Sequence, residues 1–261
     1  MYNFEFVKPG TVAEAAAALA AEDAQALGGG QTLIPALKAR LNQPSALVSL
    51  SGVSEMVGVS EAGGVVTVGG ATTHAAVAAG AGAYPALAAV AGQIGDPAVR
   101  NRGTIGGSLA NNDPAACYPA AVLGSGATIV TNSREIAADD FFDGMFATVL
   151  NEGEIITAVK FPVPAAASYQ KFLQPASRFA LTGAFVSRGD GGVRVAITGA
   201  SEGGVFRWAE AEAALAGDFS ASALDGLSLS ADGMIGDLHG TPAYRAHLAK
   251  VMTQRAVAAA G

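Results

Sequence analysis

The sequence predicts an α+β chain in three units, and three observations carry that reading. The first fifty residues alternate strand and helix signals in the order strand–helix–strand–helix–strand, the pattern of a small parallel α/β unit. The texture changes after Ser51, and a Pro-bounded segment, 162–167, reads as a linker. Beyond it, apolar runs at 180–188 and 193–198 flank Gly189-Asp190-Gly191-Gly192, the signal of an antiparallel hairpin. The predicted units are 1–52, 53–164 and 165–261.

Each element has its own cue. Residues 2–7 put Tyr2, Phe4 and Phe6 on one face of a short strand, and Pro9-Gly10 turns the chain. Thr11 followed three residues later by Glu14 is a capping box, opening an Ala-rich helix. A strand at 25–27 runs into Gly28-Gly29-Gly30-Gln31-Thr32 and a helix at 33–41, with Pro35 tolerated in its first turn. A third strand follows at 46–50. In the second unit, a strand at 65–68 ends at Gly69-Gly70-Ala71, and Thr72 or Thr73 caps a helix reaching Ala79. Residues 75–95 carry no charge, but they are Ala/Gly-rich with Pro85 inside. They predict two short buried helices, the second at 85–94, rather than a membrane span. The stretch 99–119 shows neither helical nor strand period and reads as a long functional loop. A helix at 118–123 and strands at 127–131 and 152–161 follow, the last stopped by Pro162 and Pro164. In the third unit, 168–173 is extended, 206–215 helical and 225–240 irregular, and Thr241 caps a final helix at 244–259.

Composition removes several function classes. The 261 residues are 51% hydrophobic and 14% charged with mean hydropathy +0.36, which excludes a disordered chain. Fifteen basic against twenty-two acidic residues give a net charge of −7 with no basic cluster, so nucleic acid is not the expected partner. The one cysteine, Cys117, excludes an internal disulfide, an iron–sulfur cluster or a cysteine-based zinc site held by this chain alone. A reducing, cytoplasmic setting fits, and the N-terminus carries no secretory signal.

Two glycine clusters stand out. The cluster at 28–32 lies between a strand and a helix, where free N–H groups make an anion site, although a tight strand-to-helix turn is the plainer reading. Its spacing is neither G-x-G-x-x-G nor G-x-x-x-x-G-K-[ST]. The second, Thr104-Ile105-Gly106-Gly107-Ser108, precedes Asn111, Asn112 and Asp113. Two backbone anion sites suit a diphosphate gripped from both sides, and a dinucleotide is the simplest ligand. Among the other candidates, His74, His239 and His247 lack ligand spacing and are expected at the surface or at caps. Asp139-Asp140 reads as an exposed turn and Trp208 as packing. Arg100 and Arg102 face either phosphate or a salt-bridge partner. No catalytic residue and no metal ligand are expected.

Several blocks then carry a family likeness: GGGQTLIPALKARL, GGATTHAAV, IGDPAVRNRGTIGGSLANNDPAA, DDFFDGMF, EGEIITAVKFP and ASRFAL. Together they resemble the FAD-binding medium subunit of molybdenum hydroxylases, the family of carbon monoxide dehydrogenase and xanthine dehydrogenase relatives, over essentially the whole chain. The resemblance implies an FAD-binding fold of the vanillyl-alcohol oxidase type, with a C-terminal domain of antiparallel sheet plus helices. It implies FAD as cofactor, its diphosphate held by Leu27, Gly28, Gly29, Gly30, Gln31, Thr32, Leu33 and Ile34 and by Thr104, Ile105, Gly106, Gly107 and Ser108. Ala71 and Thr72 would line the site, Ile94 would touch the flavin, and Ile156 and Lys171 would lie near the ring. The family often has His where this chain has Asn111, and usually has a cofactor-binding Asp where this chain has Cys117. Either Asn111 or Asp113 takes over that hydrogen bond, or FAD binds more weakly. The implied role is an electron-transfer subunit of a molybdenum-containing dehydrogenase, an oxidoreductase. Its partners would be a small 2Fe-2S subunit and a large molybdopterin subunit in a dimer of heterotrimers, with no membrane span. A self-contained flavin oxidoreductase of the same fold is the alternative.

Overall fold

A computed structural model describes residues 1–260 of the chain. Three sheets follow one another. The first is parallel, in the order β1 (Glu5–Val7), β3 (Ala46–Ser49), β2 (Ala24–Leu27), with crossovers through α1 (Val12–Leu19) and α2 (Leu33–Lys38). Helix α1 starts where the capping box puts it: Thr11 Oγ1 accepts from Glu14 N at 3.1 Å, and the Glu14 carboxylate accepts from Gly10 N at 2.7 Å. Its Ala15 and Leu19, one turn apart, are the buried face.

The second sheet is antiparallel, in the order β4 (Val59–Ala62), β5 (Val65–Gly69), β8 (Ile156–Pro162), β6 (Thr128–Thr131), β7 (Glu135–Ala137). Five helices lie between β5 and β6: α3 (His74–Gly80), α4 (Pro85–Gly92), α5 (Pro97–Arg100), α6 (Ile105–Asn111) and α7 (Cys117–Ser125). The stretch 99–119 is therefore largely helical rather than a loop. Helix α6 spends Ile105 and Leu109, four apart, on the core and fills the rest with small residues. A single i,i+4 pair is too short a stripe to show a period. Thr104 caps it by accepting from Gly107 N at 3.2 Å, and Asn112 ends it in the left-handed conformation.

The third sheet is antiparallel, in the order β12 (Gly204–Arg207), β11 (Gly192–Ser201), β10 (Ala180–Gly189), β9 (Ala166–Leu173), with α8 (Ala209–Gly217) and α9 (Pro242–Ala260). The expected helix at 206–215 starts later. Phe206 and Arg207 pair with β11, while Trp208, 2% exposed, packs in the core just before α8.

Helix α7 joins the second and third sheets. Eight of its nine residues are buried. A Cβ added at Gly124 would lie 2.6 Å from the Phe185 ring, so β10 packs directly on the helix backbone. Ser187 Oγ and Arg194 Nε from the third sheet donate to the carbonyls of Gly124 and Leu123 at 2.7 and 2.8 Å. These bonds cap carbonyls in the last turn of the helix, where Leu123 O also accepts from the C-cap Gly126 N at 3.2 Å.

Candidate functional site

The site grows from the end of β2. Gly30 turns the chain with φ +72°, a left-handed value that glycine adopts without strain. Thr32 precedes α2 without making a side-chain cap bond. Among the described residues, the backbone N–H groups of Gly28, Gly29, Gly30, Gln31 and Thr32 donate no hydrogen bond. The three glycines are half-buried. A run of unpaired donors in a partly dry place calls for an acceptor from outside.

The second glycine cluster is built differently. At the start of α6, Ile105 N donates to Thr72 O at 3.2 Å, Gly106 N to Gly70 O at 2.9 Å, and Gly107 N to its own cap, Thr104 Oγ1. Its glycines permit backbone-to-backbone packing. A Cβ on Gly106 would lie 2.6 Å from Gly70 O, and one on Gly70 would lie 2.0 Å from Ile156 O. The two clusters face each other. A Cβ on Gly29 would fall 2.0 Å from Arg102 O and 2.5 Å from Gly103 Cα, and one on Gly28 would fall 2.8 Å from Thr104 Oγ1. Gly107 stays exposed beside the half-buried Ser108 hydroxyl.

These contacts bring one group of the expected residues together: 27–34, 71–72, 104–108 and Ile156. Leu27, Leu33 and Ile34 pack with Leu37 and Leu47 beneath the donor loop. Ala71 N donates to Met56 O, and the fully buried Thr72 hydroxyl is closed on Gly58, accepting from its N and donating to its O. The Thr72 hydroxyl is thus occupied within the chain.

A second group gathers at the end of α4. Lys171 Nζ donates to Gln93 O at 2.7 Å, beside Ile94, and to Arg178 O at 2.8 Å, and lies 3.5 Å from Cys117 Sγ. No carboxylate pairs with this ammonium among the described residues. Between the groups, Asn111 is half-buried and makes no side-chain bond, and Asp113 Oδ1 accepts from Ala115 N at 2.8 Å. The phenols of Tyr118 and Tyr169 flank Cys117 and are pushed up by burial. A cleft of about 580 Å³ opens nearby, between Pro114, Met145 and the third unit's Phe179, Asp237 and Arg245.

His74 departs from expectation. It is 5% exposed, neither at the surface nor a cap; Thr73 caps α3, accepting from Ala76 N at 3.3 Å. Burial first, and the Arg100 charge second, bring its pKa down to about 4. The ring stays neutral and packs on Tyr118, centroids 5.3 Å apart. The one sequence signal for it is its place immediately after Gly-Gly-Ala-Thr-Thr, which puts its ring in the first turn of a helix leaving the glycine layer. His239 is half-buried against Phe179, and His247 is exposed. Asp139 accepts from Arg194 and Arg207. Arg100 Nη1 donates to Ile94 O and Gly95 O, both at 3.0 Å. No group of three or more metal-ligating side chains occurs among the described residues, and no helix is long and apolar enough to cross a membrane.

A family profile described as the FAD binding domain in molybdopterin dehydrogenase matches residues 2–164. This chain belongs to that family. The FAD-binding domain therefore contains both glycine loops, and the α+β fold is that of an FAD-binding protein. Over 98% of its length the chain is 34% identical to the nicotine 6-hydroxylase medium subunit of Paenarthrobacter nicotinovorans, covering 96% of that protein. It is equally 34% identical to the carbon monoxide dehydrogenase medium chain of Afipia carboxidovorans, with the same coverage. Among solved structures, reconstituted carbon monoxide dehydrogenase from Oligotropha carboxidovorans superposes with a TM-score of 0.89 at 30% identity, covering 99% of this chain and 98% of that one. The medium-chain likeness thus extends past the FAD-binding domain through the third sheet. These relatives are subunits of oxidoreductases, so a self-contained flavoenzyme is not favoured.

Proposed function

We propose that this chain carries FAD as the electron-transfer subunit of a multi-subunit molybdenum hydroxylase in the cytoplasm. A small 2Fe-2S subunit delivers electrons, a large molybdopterin subunit oxidises the substrate, and the assembly is a dimer of heterotrimers. A quinone, NAD or oxygen is the final acceptor. The observation that carries the reading is the run of five unpaired amides at 28–32, set against a second glycine loop that packs so closely that a Cβ on Gly29 would overlap it. That donor set fits a diphosphate, whose oxygens accept several N–H bonds at once.

In this reading the backbone of 27–34 holds the diphosphate, and 104–108 forms the opposite wall and contributes the Ser108 hydroxyl. Ala71 and Thr72 line the site through their backbone. Asn111 and Asp113 supply polar contacts in place of the carboxylate that Cys117 lacks. Ile94, Ile156 and Lys171 border the flavin ring. Bound flavin takes up and releases electrons, and this chain orients it and sets its surroundings. The Lys171 ammonium, held by two carbonyls and the Cys117 sulfur with no carboxylate beside it among the described residues, puts a positive charge at that end of the site.

Adding FAD to the purified full chain should give a yellow one-to-one complex with a flavin absorption spectrum. A chain that stays colourless after reconstitution sinks the proposal. Purification from the native host should bring an iron–sulfur and a molybdopterin chain with it.

A further inference from the structure

We infer that His74 is a positioning residue of the diphosphate cradle, a wedge that fixes how far the 102–103 turn advances toward Gly29. The inference rests on the reading that loop 28–32 holds the FAD diphosphate. The contacts run in one line. His74 N donates to Gly103 O at 2.9 Å, tying the start of α3 to the turn. The imidazole edge then lies against Gly103, where an added Cβ would sit 2.5 Å from Nε2 and 2.9 Å from Cδ2. On its other side the same turn meets the donor loop, because a Cβ on Gly29 would be 2.0 Å from Arg102 O and 2.5 Å from Gly103 Cα. Tyr118, fully buried, backs the imidazole, so the ring cannot retreat. Packed interiors transmit such displacements rather than absorb them.

At Gly29, Gly70 and Gly106 the nearest obstructing atoms are backbone, whereas at Gly103 the nearest two belong to the removable His74 side chain, with Val99 O next at 3.2 Å. Gly103 also lacks a left-handed φ, so alanine suits its backbone. The imidazole earns no hydrogen bond for its buried Nδ1, so shape is what it contributes here.

The test is a double-mutant cycle on the full chain: wild type, His74→Ala, Gly103→Ala and the double variant. FAD affinity is read by flavin fluorescence titration, ADP competition probes the diphosphate alone, and thermal unfolding is followed in the absence of ligand. Each single substitution should weaken FAD and ADP by about tenfold, and the double variant should bind within about threefold of His74→Ala, because the new methyl then meets no ring. Losses that multiply in the double variant, or a His74→Ala chain that binds like wild type, overturn the wedge. Should Gly103→Ala fail to fold, recovery of folding in the double variant supports the wedge and continued failure counts against it. If wild type itself takes no FAD, the functional reading fails, while the unfolding temperatures of the four proteins still test the Gly103–His74 coupling.

Discussion

At the scale of single residues, the glycines divide by what they would meet. Gly29→Ala drives a methyl into the Arg102 carbonyl, which cannot swing aside. Denaturant unfolding of the ligand-free chain should show a loss of about 1–3 kcal/mol, with FAD binding lost as well. Gly107→Ala meets only the Thr104 hydroxyl at 3.0 Å, and its stability should stay within about 0.5 kcal/mol of wild type. Equal effects at both positions would contradict the packing described here.

His74 gives a pH signature. Its folded pKa of about 4 lies below the ordinary 6.5, so between these values the unfolded chain binds more protons. Stability is full above about pH 6.5 and declines as pH falls toward 4, by about 3 kcal/mol from this group. Urea titrations at several pH values should show that limb in wild type and not in His74→Phe. Glu154 acts lower. The Arg134 hydrogen bond, with Asn151, Thr131 and Ser133, holds its carboxyl well below the usual range, so its contribution fades only in stronger acid.

At the scale of elements, Asn112 has two tasks. It ends α6 with φ 40° and ψ 49°, and its side chain donates to Gly144 O and Ala147 O at 2.7 and 2.8 Å. Asn112→Gly keeps the left-handed end and loses the clamp, whereas Asn112→Ala loses both. Hydrogen exchange should therefore quicken at 143–149 in both variants and along α6 only in Asn112→Ala. Unchanged exchange at 143–149 would refute the clamp. The same region marks what the sequence can express. Capping residues Thr11, Thr73 and Thr241 and the hairpin glycines announce their elements because each cue is local. Helix α6 and the edge strands β4 and β7 do not. They bury too few apolar residues to leave a period, and their pairing is decided by distant partners. The sequence marks both glycine loops as candidate anion sites. That the amides of the first are free while those of the second are taken depends on Thr72 O and Gly70 O, contacts no local pattern contains.

At the scale of the molecule, the third sheet is part of the core that supports the FAD-binding domain. Helix α7 lies under Phe185, Thr198 Oγ1 sits 2.9 and 2.8 Å from the carbonyls of Pro114 and Ala116, and Lys171 joins α4 to the Arg178 turn. A fragment ending at residue 164 would bare the apolar face of α7. It should associate or unfold in size-exclusion chromatography, and a stable, monomeric, FAD-binding fragment would contradict this dependence.

The central claim is that the free amides at 28–32 receive the FAD diphosphate. Hydrogen-exchange mass spectrometry of the full chain with and without FAD tests it directly. The account predicts strong protection on binding at 28–32, with little change at 105–107, where the amides are already bonded. FAD binding that leaves 28–32 exchanging at the ligand-free rate would contradict it.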